Sequence, residues 1–386
     1  MVLFHKFLLG YLLFVPVESW NFVGLLSALL EPKCPKGLLD GECTCKVVNN
    51  KLHYDCDLSF SNNFWGVIEV IQYNGGMIEK LVVKNCKEPL KELDRNFPLI
   101  KARIWKIKNC GITTIPTRAL SESAQWIDEL DLSNNDLESV DFGIHQLKYL
   151  KRLDLMHNKI TSIPEHTFKF SDKLEELDLS YNRISMFSRE AFDKSTTKLK
   201  YLDLSNNELS NLPAHFFVQR TADVANEDQK TLSRMSSEEA ERVSSQEQSL
   251  WNLAGTRTIV LDNNNLKSID PISFHRMSKL QKLHLKNNRI HRVTPGLFSD
   301  NKWLWQLDLS NNNITEIASN AFDGLYVLGL NIHNNPMSDV HKLEWKLNMS
   351  ELQNKLAKRQ MECSFAKDLN ECDNDRLLWL AKQAGF

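Results

Sequence analysis

The nine-residue stretch LKYLDLSNN at residues 199–207 decides the fold of this chain. Close copies recur as IDELDLSNN at 127–135, LKRLDLMHN at 150–158, LEELDLSYN at 174–182, LQKLHLKNN at 280–288 and LWQLDLSNN at 304–312. Four more divergent copies begin at 78, 102, 256 and 327. The last position of consecutive copies advances by 23 to 25 residues, apart from one step of 57. A register held this long predicts a repeat architecture with one insertion in the long step.

Each copy predicts one short strand followed by a turn. The leucines of the LxL core alternate with other residues, so one face of the strand is expected to be buried. The last position is Asn in eight of the ten copies, where an amide can satisfy backbone groups that the turn leaves unpaired. We therefore expect a buried ladder of asparagines, with Ser180 on the exposed strand face two residues before Asn182. Phenylalanines behind the strands are expected to stack as a spine: Phe168, Phe192, Phe216, Phe274, Phe298 and Phe322.

No single copy can bury its apolar face alone, so neighbouring copies must stack into a continuous core. The parallel strands would then line a concave surface, and the return limbs would form the convex one. The sequence therefore predicts an α/β leucine-rich-repeat solenoid, or horseshoe.

The residues before the first copy predict a cap. Cys34, Cys43, Cys45 and Cys56 follow the order C, CxC, C. This order resembles the N-terminal cysteine cap of extracellular leucine-rich-repeat proteins. The resemblance implies the disulfides Cys34–Cys45 and Cys43–Cys56, whereas the sequence alone leaves three connectivities open. The similarity extends to Toll-receptor ectodomains, chaoptin-like adhesion proteins and secreted leucine-rich immune molecules of insects, although the coiled coil of the last group is missing.

The other end departs from the family pattern. An amphipathic stretch at 339–361 precedes Cys363 and Cys372, and together they predict a helical cap closed by a Cys363–Cys372 disulfide. The insertion, rich in Ser, Glu and Gln, cannot bury enough apolar surface to fold alone. The predicted organisation is a signal peptide at 1–19, an N-terminal cap at 20–77, six repeats at 78–217, a disordered insertion at 218–253, four repeats at 254–336 and a C-terminal cap at 337–386.

The first residues predict secretion. Phe7–Val17 is an apolar run of eleven residues, too short to span a bilayer, and cleavage after Ser19 would fit a signal peptide. A signal anchor or a buried first strand is the alternative. No later run reaches the length of a membrane span. An even count of eight cysteines fits an oxidising compartment, and Asn313 and Asn348 begin glycosylation sequons.

Composition and motifs argue against catalysis and against nucleic-acid binding. The chain of 386 residues has a net charge of -2, whereas a nucleic-acid-binding protein would show a basic excess. The sequence contains no nucleophile elbow, phosphate loop, dinucleotide fingerprint or HExxH motif. Its eleven histidines are scattered. We therefore expect no enzyme activity, no cofactor and no metal.

Cys86 and Cys110 occupy the ladder position of the first two copies. The simpler interpretation is that each replaces Asn as a small, weakly hydrogen-bonding group. The alternative is a disulfide, because adjacent strands lie within the Cα separation that a disulfide tolerates. The direction of the two side chains decides between them, and the sequence does not give it.

The outward strand positions predict the binding surface. They pass from a basic end through an acidic middle with two tyrosines to a second basic patch. One interpretation is that Asp recurs only because it is common at this position of such repeats. The functional interpretation is that the alternating charge sets the orientation and association rate of a complementary partner. The candidate binding residues are Glu129, Asp131, Arg152, Asp154, Glu176, Asp178, Tyr181, Tyr201, Asp203, Lys282, His284, Lys286 and Trp305.

These observations predict a secreted recognition protein that binds a protein ligand through its concave face, with a role in innate immunity. The acidic middle favours a basic, partly apolar partner on the copies that begin at 127, 150, 174 and 199. Two other functions stay open: an extracellular matrix or adhesion protein, and an inhibitor of a secreted enzyme. The sequence does not determine the oligomeric state.

Overall fold

A single long sheet organises the molecule. The structure, a computed structural model, describes residues 33–34, 41–73, 76–94, 97–188, 191–192, 198–212, 253, 255–270, 273–274, 277–318, 321–322, 325 and 329–337. In chain order, the elements are β1 (Cys43–Val48), β2 (Lys51–Asp57), α1 (Phe64–Tyr73), β3 (Ile78–Lys84), β4 (Lys91–Glu92), β5 (Ala102–Lys108), β6 (Ile112–Thr114), β7 (Glu129–Asp131), β8 (Arg152–Asp154), β9 (Ser162–Ile163), β10 (Glu176–Asp178), β11 (Met186–Phe187), β12 (Tyr201–Asp203), β13 (Thr258–Val260), β14 (Lys282–His284), β15 (Arg292–Val293), β16 (Gln306–Asp308), β17 (Glu316–Ile317) and β18 (Gly329–Asn331).

The main sheet has twelve strands in the order β1-β2-β3-β5-β7-β8-β10-β12-β13-β14-β16-β18. β1 and β2 are antiparallel, and each later strand pairs in parallel with the one before it. Each of the ten predicted copies supplies one strand, so the predicted parallel solenoid is confirmed. Tyr201 of β12 is the register partner of Thr258 of β13, so the sheet continues across the long step of the repeat.

The predicted asparagine ladder is confirmed and lies beneath the strands. Asn182 is representative: its Nδ2 donates to the carbonyls of Leu155 and Leu179, each at 3.0 Å, and its Oδ1 accepts the N–H of Ile160 at 3.0 Å. One side chain therefore satisfies backbone groups in its own turn and in the previous one. The same pattern holds at Asn135, Asn158, Asn207, Asn264, Asn288, Asn312 and Asn335.

The prediction for Ser180 is wrong. Its side chain is buried, with 2% of its surface exposed. Its Oγ donates to Asp178 Oδ1 at 2.6 Å, and its N–H donates to the same oxygen at 2.9 Å. The aspartate draws the serine into a local turn at the end of the strand, as short polar side chains commonly do. The repeated Asp-x-Ser of the LDLS copies therefore closes each turn.

A second row of residues, immediately before each ladder position, has left-handed backbone geometry. All ten have φ between 52 and 57°, and eight of them are asparagines. Asparagine tolerates this region because its short polar side chain adds little steric conflict. We call this row the asparagine rail. His157 and Tyr181 are its two exceptions, each with φ of 54°.

The convex side is built from turns and pairs of two- or three-residue strands. β4 pairs with β6, β9 with β11, and β15 with β17. Behind them the phenylalanine spine is confirmed: ring centroids lie 5.0 Å apart for Phe168 and Phe192, and 6.0 Å apart for Phe274 and Phe298. Phe322 continues the stack, whereas Phe216 lies outside the described residues.

Three disulfides hold the N-terminal end. Cys34–Cys45 and Cys43–Cys56 are both formed, which confirms the pairing implied by the cap resemblance. Cys86 and Cys110 also form a disulfide, with Cα atoms 4.5 Å apart, so the simpler interpretation of these two residues is wrong. Because they sit at the same position of adjacent turns, the parallel stacking brings their Cα atoms within bonding range.

Several sequence predictions fall outside the described residues. These are the signal peptide at 1–19, the insertion at 218–253 apart from its last residue, the helical C-terminal cap with Cys363–Cys372, and the sequon at Asn348. That last residue, Leu253, is buried in the core. The sequon at Asn313 lies within them, and its side chain is exposed.

Candidate functional site

The concave sheet face gathers most of the candidate binding residues on neighbouring strands. Register pairing places Glu129 beside Arg152, Arg152 beside Glu176, and Glu176 beside Tyr201. One row further along, Asp131, Asp154, Asp178 and Asp203 form a second line across the same four strands. Residues some 25 positions apart in sequence therefore become lateral neighbours about 4.8 Å apart.

Asp131 is the first aspartate of this line and lies beside the lysines of β5. It is 5% exposed, and its Oδ2 lies 3.3 Å from Lys106 Nζ and 3.1 Å from Lys108 Nζ. Burial alone would raise its pKa, but hydrogen bonds from Ser133 and the charge of Lys108 outweigh burial and lower it. Asp131 is thus a neutralised, nearly buried carboxylate with little surface left for a partner.

Asp154 and Asp178 are different. Each uses Oδ1 to accept a backbone N–H two residues later, at 3.0 Å from Met156 and 2.9 Å from Ser180. Among the described residues, no lysine or arginine forms an ion pair with either carboxylate. Burial raises the pKa of both, and neighbouring aspartates add to the rise. Two half-buried carboxylates therefore stand side by side, and among the described residues the Oδ2 of each accepts no hydrogen bond.

The adjacent residues are already paired. Arg152 Nη2 lies 2.9 Å from Glu176 Oε2, so these two opposite charges largely cancel. The Tyr201 hydroxyl donates to Asp203 Oδ2 at 2.7 Å. Burial and this hydrogen bond raise the pKa of Tyr201. Tyr201 is therefore committed to its neighbour, and its value as an anchor is smaller than the sequence pattern indicates.

Tyr181 has a partner that the sequence analysis missed. Its ring stacks on that of His157, with centroids 4.2 Å apart and planes 26° from parallel. Tyr181 is 48% exposed, and both residues occupy the asparagine rail. An alignment of the ten copies on their ladder position would have shown the two departures from Asn. The rail residue begins the turn and lies outside the strand, so His157 is absent from the binding residues predicted on strand positions.

The C-terminal basic patch is built from β14 and β16. Lys282 Nζ lies 4.9 Å from the centroid of the Trp305 ring, a cation–π contact across two strands. The N–H of Lys286 donates to Asp262 Oδ1 at 2.7 Å, and His284 is half-buried beside Asp308 in register. A cation–π contact and a backbone hydrogen bond to Asp262 therefore join the neighbouring turns of this patch.

The described residues contain no group of three or more His, Cys, Asp or Glu side chains arranged to hold a metal ion. In the same part of the chain, no helix has the length and apolar character needed to cross a membrane.

The Leucine rich repeat family matches residues 126–184, 148–209, 172–220, 254–314 and 278–337. These ranges coincide with the strands, ladder and spine from β7 to β18. The chain is built from leucine-rich repeats, and residues 126–220 and 254–337 match that family. In this leucine-rich-repeat protein, the first two turns at 78–114 lie outside the family match and are recognised by their geometry.

Its curated relatives share part of their length with it. Chaoptin of Drosophila melanogaster is 29% identical over 186 residues, which cover 36% of this chain and 14% of chaoptin. Tsukushi of Xenopus tropicalis is 41% identical over 56 residues, or 14% of this chain and 16% of Tsukushi. The human volume-regulated anion channel subunit LRRC8E is 32% identical over 129 residues, or 33% of this chain and 16% of that subunit. The leucine-rich-repeat protein thus matches a small share of each relative.

Solved structures support the fold. TLR13 in its complex with ssRNA13 aligns with a TM-score of 0.55 at 20% identity, covering 70% of this chain and 34% of TLR13. Toll, in the Toll–Spatzle complex of Drosophila, aligns with a TM-score of 0.52 at 19% identity, covering 71% and 31% of the two chains. At these identities the similarity shows a shared solenoid fold.

Proposed function

We propose that this protein is a secreted, non-catalytic recognition protein that binds a basic protein partner on the concave face of β7, β8, β10 and β12. The observation that carries the proposal is the pair Asp154 and Asp178. Their carboxylates lie in the middle of the sheet face and form no ion pair with a lysine or arginine among the described residues. Half-buried unpaired charge is unfavourable in a free protein, and a basic partner would relieve it.

The shape of the surface supports binding. A stack of parallel strands with few backbone freedoms left to order lowers the entropic cost of association. The sign of the charge alternates along the concave face. Lys106 and Lys108 pair with Asp131 on the N-terminal side of the acidic strands, and Lys282 and Lys286 lie on the C-terminal side. Such alternation orients an approaching partner and raises its association rate.

Three observations support an extracellular location. The sequence starts with an apolar run typical of a signal peptide, the cap carries two disulfides, and a third disulfide joins the first two turns. Disulfides persist in oxidising compartments and are rare in the cytosol. The complex of Toll with Spatzle, whose Toll chain shares this fold, is a molecular hub in Drosophila development and innate immunity. We propose an immune role for this chain on that similarity.

The test begins with the purified, disulfide-intact protein as bait in extracellular fluid, followed by mass spectrometry of the captured proteins. The captured partner is then titrated against wild type and the Asp154→Lys/Asp178→Lys double variant at two salt concentrations. We expect association to slow by about tenfold or more in the variant, with a weaker dependence on salt.

Two control variants separate the concave face from other surfaces. Tyr149→Ala removes an exposed tyrosine in a return limb, and its affinity should equal that of wild type. Trp379→Ala tests the competing C-terminal surface, which lies outside the described residues. Loss of affinity in Trp379→Ala alone, with the double variant unaffected, would contradict the proposal and place binding at the C-terminal end.

The immune and adhesion roles differ in when the protein is made. Induction of the transcript by infection is the result expected of an immune recognition protein. Steady expression restricted to one tissue, without induction, would contradict that role and favour a matrix or adhesion function.

A further inference from the structure

Two neighbouring turns break the asparagine rail. Eight of the ten rail positions hold Asn, and several of these side chains bond to one another along the edge of the solenoid, as Asn287 Nδ2 does to Asn263 Oδ1 at 2.6 Å. His157 and Tyr181 replace this hydrogen-bonded edge with a stacked pair of rings.

The replacement is unfavourable for the backbone. Both residues have φ of 54°, in the left-handed region where Cβ approaches the following carbonyl; asparagine and histidine enter this region more readily than tyrosine does. Backbone strain of this kind clusters at functional sites, where the surrounding structure maintains it. The two exceptions also fall on consecutive turns, which is what allows their rings to meet.

The same two turns carry the unpaired carboxylates. Asp154 precedes His157 by three residues and Asp178 precedes Tyr181 by three, at the ends of the paired strands β8 and β10. His157 is close enough to Asp178 to interact with it electrostatically, which links the acidic pair to the aromatic pair. Arg152 and Glu176, two residues earlier on the same strands, form an ion pair with each other. The charge of Lys108 acts on Asp154 from β5, without forming an ion pair with it. We call Asp154, Asp178, His157 and Tyr181 together the Asp–aromatic site.

We propose that the Asp–aromatic site binds an arginine side chain of the basic protein partner. The inference rests on the proposed function and specifies the chemistry of its central contact. A planar guanidinium donates several N–H bonds in one plane, which suits two adjacent carboxylate oxygens, and its face stacks on an aromatic ring. A lysine ammonium is a compact point charge that offers neither the planar donors nor the stacking face.

The burial pattern agrees with this occupant. The carboxylates are half-buried, so a cation that contacts them leaves water and gains more from each bond than it would at an open surface. Tyr181 remains about half exposed, which leaves a ring face open at the edge of the stack. An arginine arriving from the concave side would meet carboxylates first and then extend its flat group toward the rings.

The experiment uses a defined probe, the peptide Gly-Arg-Gly-Arg-Gly with blocked ends, together with its lysine and citrulline analogues. The full-length protein carries ¹³C-labelled histidine, and the His157 ring signal is assigned from its absence in His157→Asn. We expect the arginine peptide to shift the His157 signal saturably. The lysine peptide should bind more weakly, and the uncharged citrulline peptide should leave the signal in place.

The variants restore the rail while removing the rings. Tyr181→Asn and His157→Asn introduce the residue that the other eight turns use, so both should fold. Tyr181→Asn should weaken arginine-peptide binding about three- to fivefold, because an exposed cation–π contact is lost. Asp154→Asn and Asp178→Asn should each weaken it about tenfold, because a hydrogen bond to a charged group is lost. Tyr149→Ala, which removes a similarly exposed tyrosine, should bind like wild type.

Separate outcomes overturn the two proposals. Equal binding of arginine and citrulline peptides, or wild-type affinity in Tyr181→Asn, would overturn the Asp–aromatic site. The captured protein partner then tests the proposed function separately. If it binds Asp154→Lys/Asp178→Lys more weakly than wild type, the acidic concave face is still its binding surface. Undiminished association of that partner with the double charge variant would overturn the proposed function itself, whatever the peptides do.

Discussion

The first two turns and the four central turns solve the same stacking problem in different ways. β3 and β5 are seven residues long, and their ladder positions are joined by the Cys86–Cys110 disulfide. β7, β8, β10 and β12 are three residues long, and asparagine amides join their turns. The lysines of the first turns form ion pairs with Asp131, whereas in the described part of the chain neither Asp154 nor Asp178 forms an ion pair with a lysine or arginine.

The difference separates a covered end from an available surface. At the N-terminal end, long strands, covalent bonds and compensated charge protect the last layers of the stack. In the centre, reversible hydrogen bonds are sufficient because turns pack on both sides, and the charge that remains uncompensated is free for a partner. The contrast predicts effects on stability that decrease from the disulfide to the ladder, the aspartates and the asparagine rail.

Removing the disulfide between the first two turns should have the largest effect on stability. The Cys86→Ala/Cys110→Ala variant opens a loop with a sequence separation of 24. We expect the free energy of unfolding to fall by about 2–4 kcal/mol, because the unfolded chain gains freedom. Urea denaturation under non-reducing conditions measures the change. A loss under about 1 kcal/mol would mean that the first turns are held by packing alone.

A ladder asparagine in the centre should come next. Asn182→Ala removes an amide that bonds to Leu155, Leu179 and Ile160, so buried backbone groups in two turns lose their partner. We expect unfolding to become easier by about 1–3 kcal/mol. Ser185→Ala, an exposed serine in the same turn, is the matched control and should change stability by less than about 0.5 kcal/mol. Equal losses in both variants would contradict the ladder.

The two kinds of aspartate should respond differently to neutralisation. At pH 7, Asp131→Asn should lower stability by about 1 kcal/mol, because Lys106 and Lys108 lose a nearly buried partner. Asp154→Asn keeps an acceptor for the Met156 N–H and relieves repulsion, so it should change stability by less than about 0.5 kcal/mol or raise it slightly.

Asp131 and Asp154 contribute with opposite signs to the pH dependence of the free energy of unfolding, and each contribution is absent from the corresponding Asn variant. The pKa of Asp131 is lowered, so its contribution is present above the usual aspartate pKa of about 3.9 and is lost as the pH falls through the lower folded value. The pKa of Asp154 is raised, so its charge destabilises the fold at pH 7, and this penalty fades as the pH falls through the raised value. Urea titrations from pH 7 to pH 3 measure both. A common sign would contradict the contrast.

Restoring asparagine at rail position 181 should slightly raise the free energy of unfolding. Tyr181→Asn relieves a strained left-handed conformation but loses the stacking on His157. The two contributions nearly cancel, and we expect stability to rise by about 0.5 kcal/mol. Asn206→Tyr, the reverse change at another rail position, is the control and should lower stability. A clear loss of stability in Tyr181→Asn would mean that the ring pair is there to stabilise the fold.

The sequence alone determined the architecture, because a repeat encodes the same local answer many times. The alternation in LDL specified the strands, the spacing of 23 to 25 residues specified their stacking, and Asn at the ninth position specified the ladder. The sequence also marked the concave face, since outward positions follow from the period of a strand. Agreement among ten copies made each of these inferences stronger than any single segment could.

The tertiary structure decided what depends on side-chain direction and on lateral neighbours. Cys86 and Cys110 are bonded because stacking places them at one position of adjacent turns, which spacing alone left open. Asp131 and Asp154 look alike in the repeat, yet one lies between two lysines and the other beside another aspartate. His157 meets Tyr181 only because consecutive turns place their left-handed residues one above the other. A repeat fixes which positions recur along the chain, whereas the contents of the neighbouring turn fix what each position does.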